Sequence, residues 1–248
     1  MNLLCLLLIL CFIVTQSKKS VKERKAGKAY REGVKAQSNG DLNRAVNKYR
    51  EALRFSTDGF HPMASWNLCH IYQYKAEAGP AIDVLKQALQ ALQSNGHRKI
   101  PSSVTVTNAL STNNAYQESV TYECGLHFYL GNMMSMQDHT ILDARNHYVR
   151  VTELCPDFPD AHFRLAGVSS DLSKAIFRFE EAVRLRPDFL EAYVNLGSIL
   201  KDAGRLNESV KAYDEAIRIR SDSAEALANR GVSLQAAGRL EEAIESYV

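Results

Sequence analysis

The sequence predicts an all-α solenoid of antiparallel helix pairs, with the last repeat incomplete. Three observations carry this. First, the stretch Leu190–Ser223 recurs: Gly197 returns as Gly231, Gly204 as Gly238, Leu206 as Leu240 and Tyr213 as Tyr247, each 34 residues on. That is the period of a helix–turn–helix unit that stacks on its neighbours. Second, apolar or small residues fall at helical spacing inside the unit, at Tyr193, Leu196, Gly197 and Leu200 and again at Val210, Tyr213, Ala216 and Ile217. Third, Asp202-Ala203-Gly204-Arg205 separates the two runs, with Gly204 suited to a left-handed helix end.

Length and composition bound the rest. A chain of 248 residues can bury a sizeable core. The formal charge of +2 gives no whole-molecule argument for nucleic acid as a partner. Six prolines and thirteen glycines are too few for a disordered or collagen-like chain. Five cysteines make no disulfide framework. Cys5 and Cys11 lie in an N-terminal apolar run, and the remaining three cannot all pair within one chain. Cys69 occupies a Gly/Ala slot and is expected to be a buried small residue, while both states stay open for Cys124 and Cys155.

Residues 1–17 come first. Leu3 to Val14 is unbroken apolar sequence followed by Thr15-Gln16-Ser17. Twelve helical residues rise about 18 Å, short of the roughly 30 Å of a bilayer core. This predicts a signal peptide cut after Ser17, and hence repeats in the secretory pathway, in the ER lumen or secreted. The alternative is a short membrane anchor through residues 3–14 with the repeats facing the cytosol. It rests on the cations behind the run, Lys18, Lys19, Lys22, Arg24 and Lys25 among them, with none before it. Residues 18–25 read as a basic linker, a solvated extension in preference to a lipid or nucleic-acid contact.

Residues 26–93 hold two repeats. Gly33, Ala36, Gly40, Leu42, Ala45, Tyr49 and Ala52 fill the slots of the first, with Ser38-Asn39-Gly40-Asp41 as its turn. Trp66, Leu68, Cys69 and Tyr72, then Ala81, Leu85 and Ala88, fill those of the second. Ala45 to Ala81 is 36 residues, so the connection is slightly long. Residues 94–118, rich in Ser, Thr and Asn, lack a sustained apolar period and read as an inserted loop.

Residues 119–248 hold repeats three to six. Tyr129, Leu130, Gly131 and Met134, then Ala144, Tyr148, Val151 and Pro156, mark a degenerate third repeat with a longer turn at Asp138-His139-Thr140. Ala144 to Ala175, Tyr148 to Phe179 and Pro156 to Pro187 are each 31 residues. Three residues are therefore missing near Gly167–Ser170, which predicts a first helix shorter by nearly one turn. Repeat six starts at Ala224 and is truncated at Val248, without the polar cap that terminal repeats carry. That predicts a fragment of a longer chain.

The slots resemble those of the tetratricopeptide repeat (TPR) family: an aromatic at Tyr193, Leu196-Gly197 three residues on, bulky Leu200, then Ser209 in an Ala slot, Tyr213 and Ala216. The resemblance implies a right-handed superhelix with a concave groove lined by the first helix of each pair, suited to a peptide. Asn67, Asn195 and Asn229 share the slot just before the Leu-Gly pair or its equivalents and should face that groove. An Asn there offers donor and acceptor to a peptide backbone. His70 and Ser198, three residues further along the same helices, join them as peptide-binding candidates. This looks like the asparagine ladder in the repeat region of O-linked N-acetylglucosamine transferases, interrupted here by Glu32, Tyr129 and Arg164. The carboxylate clamp of chaperone-binding relatives is not expected, since Tyr30 and Val34 stand where its Lys and Asn should be.

No glycine-rich phosphate loop, nucleophile elbow or HExxH is present, so no catalytic residue and no cofactor is expected. Cys124, His127, His139, His147, Cys155 and His162 lack regular zinc spacing and read as core or surface residues, not metal ligands. Asn207-Glu208-Ser209 is a glycosylation sequon, relevant only in the secretory pathway; otherwise Asn207 is expected to help cap its helix. The functional expectation is a non-catalytic scaffold that binds a peptide segment of a partner protein. The alternative is the N-terminal recognition region of a larger enzyme, such as a TPR-containing glycosyltransferase, with its catalytic domain beyond Val248.

Overall fold

The computed structural model describes residues 3–56, 61–94, 122–137 and 140–247. All the regular structure among them is helical. The order is α1 (Leu3–Ser38), α2 (Leu42–Phe55), α3 (Pro62–Tyr74), α4 (Ala78–Ser94), α5 (Tyr122–Ser135), α6 (Ile141–Leu154), α7 (Pro159–Gly167), α8 (Leu172–Leu185), α9 (Leu190–Asp202), α10 (Leu206–Ile219), α11 (Ala224–Ala236) and α12 (Leu240–Tyr247). This is the all-α solenoid class that the 34-residue period predicts. The chain divides into two compact units, Met1–Gln137 and Asp138–Val248.

The first unit is built from α1 to α5, each packed on the next, including α4 on α5, which residues 95–121 separate in sequence. Helix α1 is continuous through Ser17 and through residues 18–25, the stretch read above as a linker. Charge suggested an extension, but Lys, Glu, Arg and Ala are strong helix formers and no Pro interrupts them. Among the described residues, no helix is long and apolar enough to cross a membrane. The inserted loop expected at 94–118 lies outside the described residues apart from Ser94, the last residue of α4. So do Asp138 and His139 of the long turn.

The second unit is built from α6 to α12. Helix α7 has nine residues where α9 and α11 have thirteen, the shortening that the 31-residue spacing predicts. One apolar cluster joins Ala166, Ile176, Phe179, Leu196, Leu200 and Ala212, and so ties α7 and α8 to α9 and α10. A second joins Leu190, Val194, Tyr213, Ala216 and Ala226, and a third joins Val210, Leu234 and Ala243. Each repeat thus closes on its neighbour, with no single central core.

The same local devices recur in both units. Ala45, Ala81, Ala144 and Ala175 are almost wholly buried because helix pairs approach closely at that slot. Asp41 and Asp171 cap α2 and α8, each accepting from the backbone N–H three residues on, at 3.0 and 3.1 Å. Gly40, Gly204 and Gly238 turn the chain at φ +77°, +74° and +77°.

Cys69 is buried and free, and burial pushes its thiol pKa far up. Cys124 and Cys155, whose state the sequence left open, are disulfide-bonded. Counting residues could not reveal this, because pairing depends on which Cβ atoms the fold brings within reach.

Candidate peptide-binding groove

The candidate face of the second unit consists of the first helices of its pairs. Gly197 on α9 lets Tyr213 of α10 lie against the backbone. A Cβ at Gly197 would sit 2.7 Å from the Tyr213 ring. Ser209 then fastens the pair: its hydroxyl donates to the Gly197 carbonyl at 2.7 Å and accepts from the Ser233 hydroxyl of α11 at 2.9 Å. All three residues are buried, so the two bonds form in a dry environment where an unmade one would be destabilising. Ser in the Ala slot is therefore a repeat-to-repeat tie, which the sequence recorded only as a departure from the pattern.

This packing fixes which residues of α9 and α11 stay outside. Asn195 is exposed, and Ser198 and Asn229 are half-buried. Neither asparagine has a hydrogen-bond partner among the described residues. Helices α9 and α11 are in contact, so Asn195 and Asn229, 34 residues apart in sequence, occupy the same slot on adjacent first helices. On α7 the slot holds Arg164, half-buried, with its guanidinium 5.8 Å from the Phe163 ring. Burial pushes the Tyr213 hydroxyl pKa up to about 12, and no hydrogen-bond partner meets that hydroxyl. Ser198 approaches it outside hydrogen-bond geometry, and its proximity only partly offsets the effect of burial.

Asn67 and His70 belong to the first unit and are differently employed. The Asn67 amide donates to the Tyr49 hydroxyl at 3.0 Å, and that hydroxyl donates to Gln37 Oε1 at 2.6 Å. His70 Nε2 lies 3.2 Å from the Tyr129 hydroxyl, within a cluster where Trp66 meets the His70 and Tyr129 rings edge-on. Burial lowers the His70 pKa and raises that of Tyr129. Of the five predicted peptide-binding residues, Asn195, Ser198 and Asn229 are thus brought together, while Asn67 and His70 make contacts inside their own unit. The repeat period revealed which slot Asn67 fills, but nothing in the pattern signalled that a neighbouring tyrosine takes up its amide.

Asn207 does not take the capping role considered for it. It lies exposed in the first turn of α10, whose N-cap is Arg205, and it makes no cap bond. Ser209, the third residue of the sequon, is fully buried. The folded repeat therefore holds the sequon on a packed helix, not in the surface loop that acceptor sites favour.

His162 occupies the aromatic slot of the short repeat. It is buried, with Nε2 2.9 Å from the Pro156 carbonyl and Nδ1 3.3 Å from Arg178 Nη1. A carbonyl can only accept and a guanidinium can only donate. The ring is therefore the neutral tautomer with its proton on Nε2. Burial, and then the Arg178 and Arg184 charges, lower its pKa; the Pro156 bond and Glu181 oppose the shift. Among the described residues, no group of three or more His, Cys, Asp or Glu is arranged to hold a metal ion.

Known proteins carry the same repeat. The TPR repeat family model matches residues 197–238, the region spanning the α9 to α11 contacts. A TPR repeat-containing protein of Synechococcus elongatus is 38% identical over 53 residues, 21% of this chain; the match spans 13% of that relative's length. Among solved structures, Pseudomonas aeruginosa pilF superposes with a TM-score of 0.62 at 14% identity, over 91% of this chain and 90% of its own. YrrB, described as a TPR protein with an unusual peptide-binding site, gives 0.60 at 20% identity over 86% of this chain and 95% of its own. Residues 197–238 thus match the TPR repeat, and the chain as a whole shares the fold of solved structures such as YrrB.

Proposed function

We propose that this chain is a non-catalytic scaffold that binds an extended segment of a partner protein across α7, α9 and α11. The observation that carries the reading is the pair Asn195 and Asn229: same slot, adjacent helices, amides left without partners. Each amide can both donate to and accept from a peptide backbone, so the pair grips a strand without reading its side chains. A peptide-binding site in YrrB, a protein of similar fold, supports the reading.

The test is selection of peptides from a randomised 12-residue library against the full chain, then titration of a selected peptide. Each asparagine bond contributes on the order of 0.5–1.5 kcal/mol net. Asn195→Ala with Asn229→Ala should then weaken binding by about 1–3 kcal/mol with helicity unchanged. Equal affinity removes the asparagines from the site, and lost helicity makes them structural.

We further propose that the repeats work in the secretory pathway. The apolar run at residues 3–14 supports this, as do disulfide-bonded Cys124 and Cys155, since such bonds persist in oxidising compartments. Expression in a secreting eukaryotic cell should yield a mature N-terminus at Lys18 and blocked thiols at Cys124 and Cys155. An intact Met1 in the membrane fraction with both thiols free would point to the anchored, cytosol-facing alternative.

A further inference from the structure

We propose that the outward face of α1 binds a sulfated polysaccharide. Arg24, Lys28, Arg31 and Lys35 are all exposed, while Ala26, Ala29, Gly33 and Ala36 of the same helix are buried. The small residues mark the side that packs on α2, where Gly33 lies against the Tyr49 ring. At 3.6 residues per turn the four cations fall within about a sixth of the helix circumference, on the opposite side. They follow one another at about 6, 4.5 and 6 Å along the axis and span about 16 Å.

The stripe is not spent on pairing inside the chain. Among the described residues, no ion pair holds Lys28, Arg31 or Lys35. Glu32, one turn along from Lys28, is held by Lys48 of α2 at 2.8 Å. Lys25, off the stripe, lies over the Phe55 ring. The surroundings add to the field. Residues 22–56 hold ten Lys or Arg and four Asp or Glu, whereas the whole chain is nearly balanced at +2. The excess of cations is therefore local, and the rest of the chain is acidic on balance.

A straight row of cations suits a linear polyanion, whose fixed charges meet them one after another. The two guanidinium groups match the oxygens of a sulfate as they do those of a phosphate. An anionic membrane is a poorer match. A helix lying in the lipid interface buries an apolar face there, and the small-residue face of α1 is already committed to α2. Of its large apolar side chains among residues 21–38, only Val21 and Val34 are exposed, and they flank the stripe. Nucleic acid carries the same charge, but sulfated polymers are the polyanions of the oxidising compartment proposed above. On that point the inference rests on the secretory reading.

The experiment titrates the full chain, expressed in a secreting eukaryotic cell, at one ionic strength. The probes are heparin, desulfated heparin, equimolar phosphatidylcholine–phosphatidylserine vesicles and single-stranded DNA. Heparin should bind most tightly and desulfated heparin far more weakly. Arg24→Gln, Lys28→Gln, Arg31→Gln and Lys35→Gln combined should weaken heparin binding by about tenfold or more. A control removes the same charge from scattered exposed sites, through Lys86→Gln, Lys174→Gln, Lys211→Gln and Arg220→Gln. It should change binding by less than about twofold, since charges beyond a Debye length are screened. Glutamine is a good helix former, so circular dichroism should match the parent in both. Equal losses in the two variants, or none in the first, would overturn the inference. Tighter binding to vesicles or DNA than to heparin would do the same. The N-terminus and thiols of the same preparation report separately on the secretory reading. A chain that starts at Lys18 with blocked thiols and ignores heparin sinks this inference alone. Intact Met1 in the membrane fraction with free thiols sinks both.

Discussion

Two tyrosines in the same slot meet opposite fates. Tyr49 and Tyr213 are both fully buried, each pressed against a glycine of the preceding helix. The Tyr49 hydroxyl is served by Gln37 and Asn67, while that of Tyr213 has no partner. Removing a satisfied buried hydroxyl leaves partners stranded, whereas removing an orphan relieves a desolvation penalty. Tyr49→Phe should therefore destabilise by about 1–2 kcal/mol, and Tyr213→Phe should be neutral or stabilising by up to about 1 kcal/mol. Urea unfolding of both variants checks this. Equal destabilisation would mean that the Tyr213 hydroxyl finds a partner in solution. The sequence assigned both tyrosines to one slot, correctly, but a slot fixes the position of a ring and not the company of its hydroxyl.

At the scale of elements, the turns show how far a repeat can be read. Gly40, Gly204 and Gly238 were legible as left-handed helix ends because glycine alone enters that region freely. The second repeat makes the same turn with Ala76, at φ +56°. Its backbone N–H still bonds the Gln73 carbonyl at 3.0 Å, and that of Glu77 bonds the Tyr72 carbonyl at 2.8 Å. The hydrogen bonds of the turn thus hold an alanine in a conformation that is costly for it. Ala76→Gly should raise stability by about 0.5–1 kcal/mol, the strain relieved less the greater entropy of an unfolded glycine. A denaturation midpoint unchanged or lowered by the substitution would show that the turn is unstrained. Helix α1 teaches the reverse lesson. Its basic stretch had the composition of a linker, yet good helix formers with no breaker simply continue the helix.

For the molecule as a whole, three buried or half-buried histidines set a response to acid. Burial is the main cause lowering the pKa of His61, His70 and His162 below the ordinary 6.5. Each has a nitrogen committed. His61 Nδ1 accepts from the Ala64 N–H to cap α3, His70 Nε2 meets Tyr129, and His162 Nδ1 accepts from Arg178. The folded state therefore binds these protons less readily than the unfolded chain. Stability from this source is complete above about pH 6.5 and declines as pH falls from there through the lower folded values. Glu32, Asp171 and Glu181 also have lowered pKa values, through Lys48, the Lys174 backbone and Arg184 respectively. As carboxylates they stay ionised across this window and act only in stronger acid. Thermal melts should be level between pH 7 and 8 and fall toward pH 5, less steeply for His162→Gln. A melting temperature constant from pH 8 to 5 would contradict the buried placement of these rings.

The sequence by itself determined the helix pairs, their order, the short first helix of the fourth repeat and the slot of each candidate asparagine. Period and apolar spacing are properties of a chain contacting its nearest neighbours, and a repeat solenoid has few other contacts to add. Tertiary structure alone decided which slot residues remain free. Asn67 and Asn229 are equivalent by register, but only the fold places Tyr49 where it takes up the Asn67 amide. Arg164 and Arg186 look alike on the page, but only the fold gives Asp160 to Arg186 and leaves Arg164 uncompensated. The reason is the same in both cases. Register fixes where a side chain starts, whereas hydrogen bonds and ion pairs depend on what other helices bring to within about 3 Å of its end.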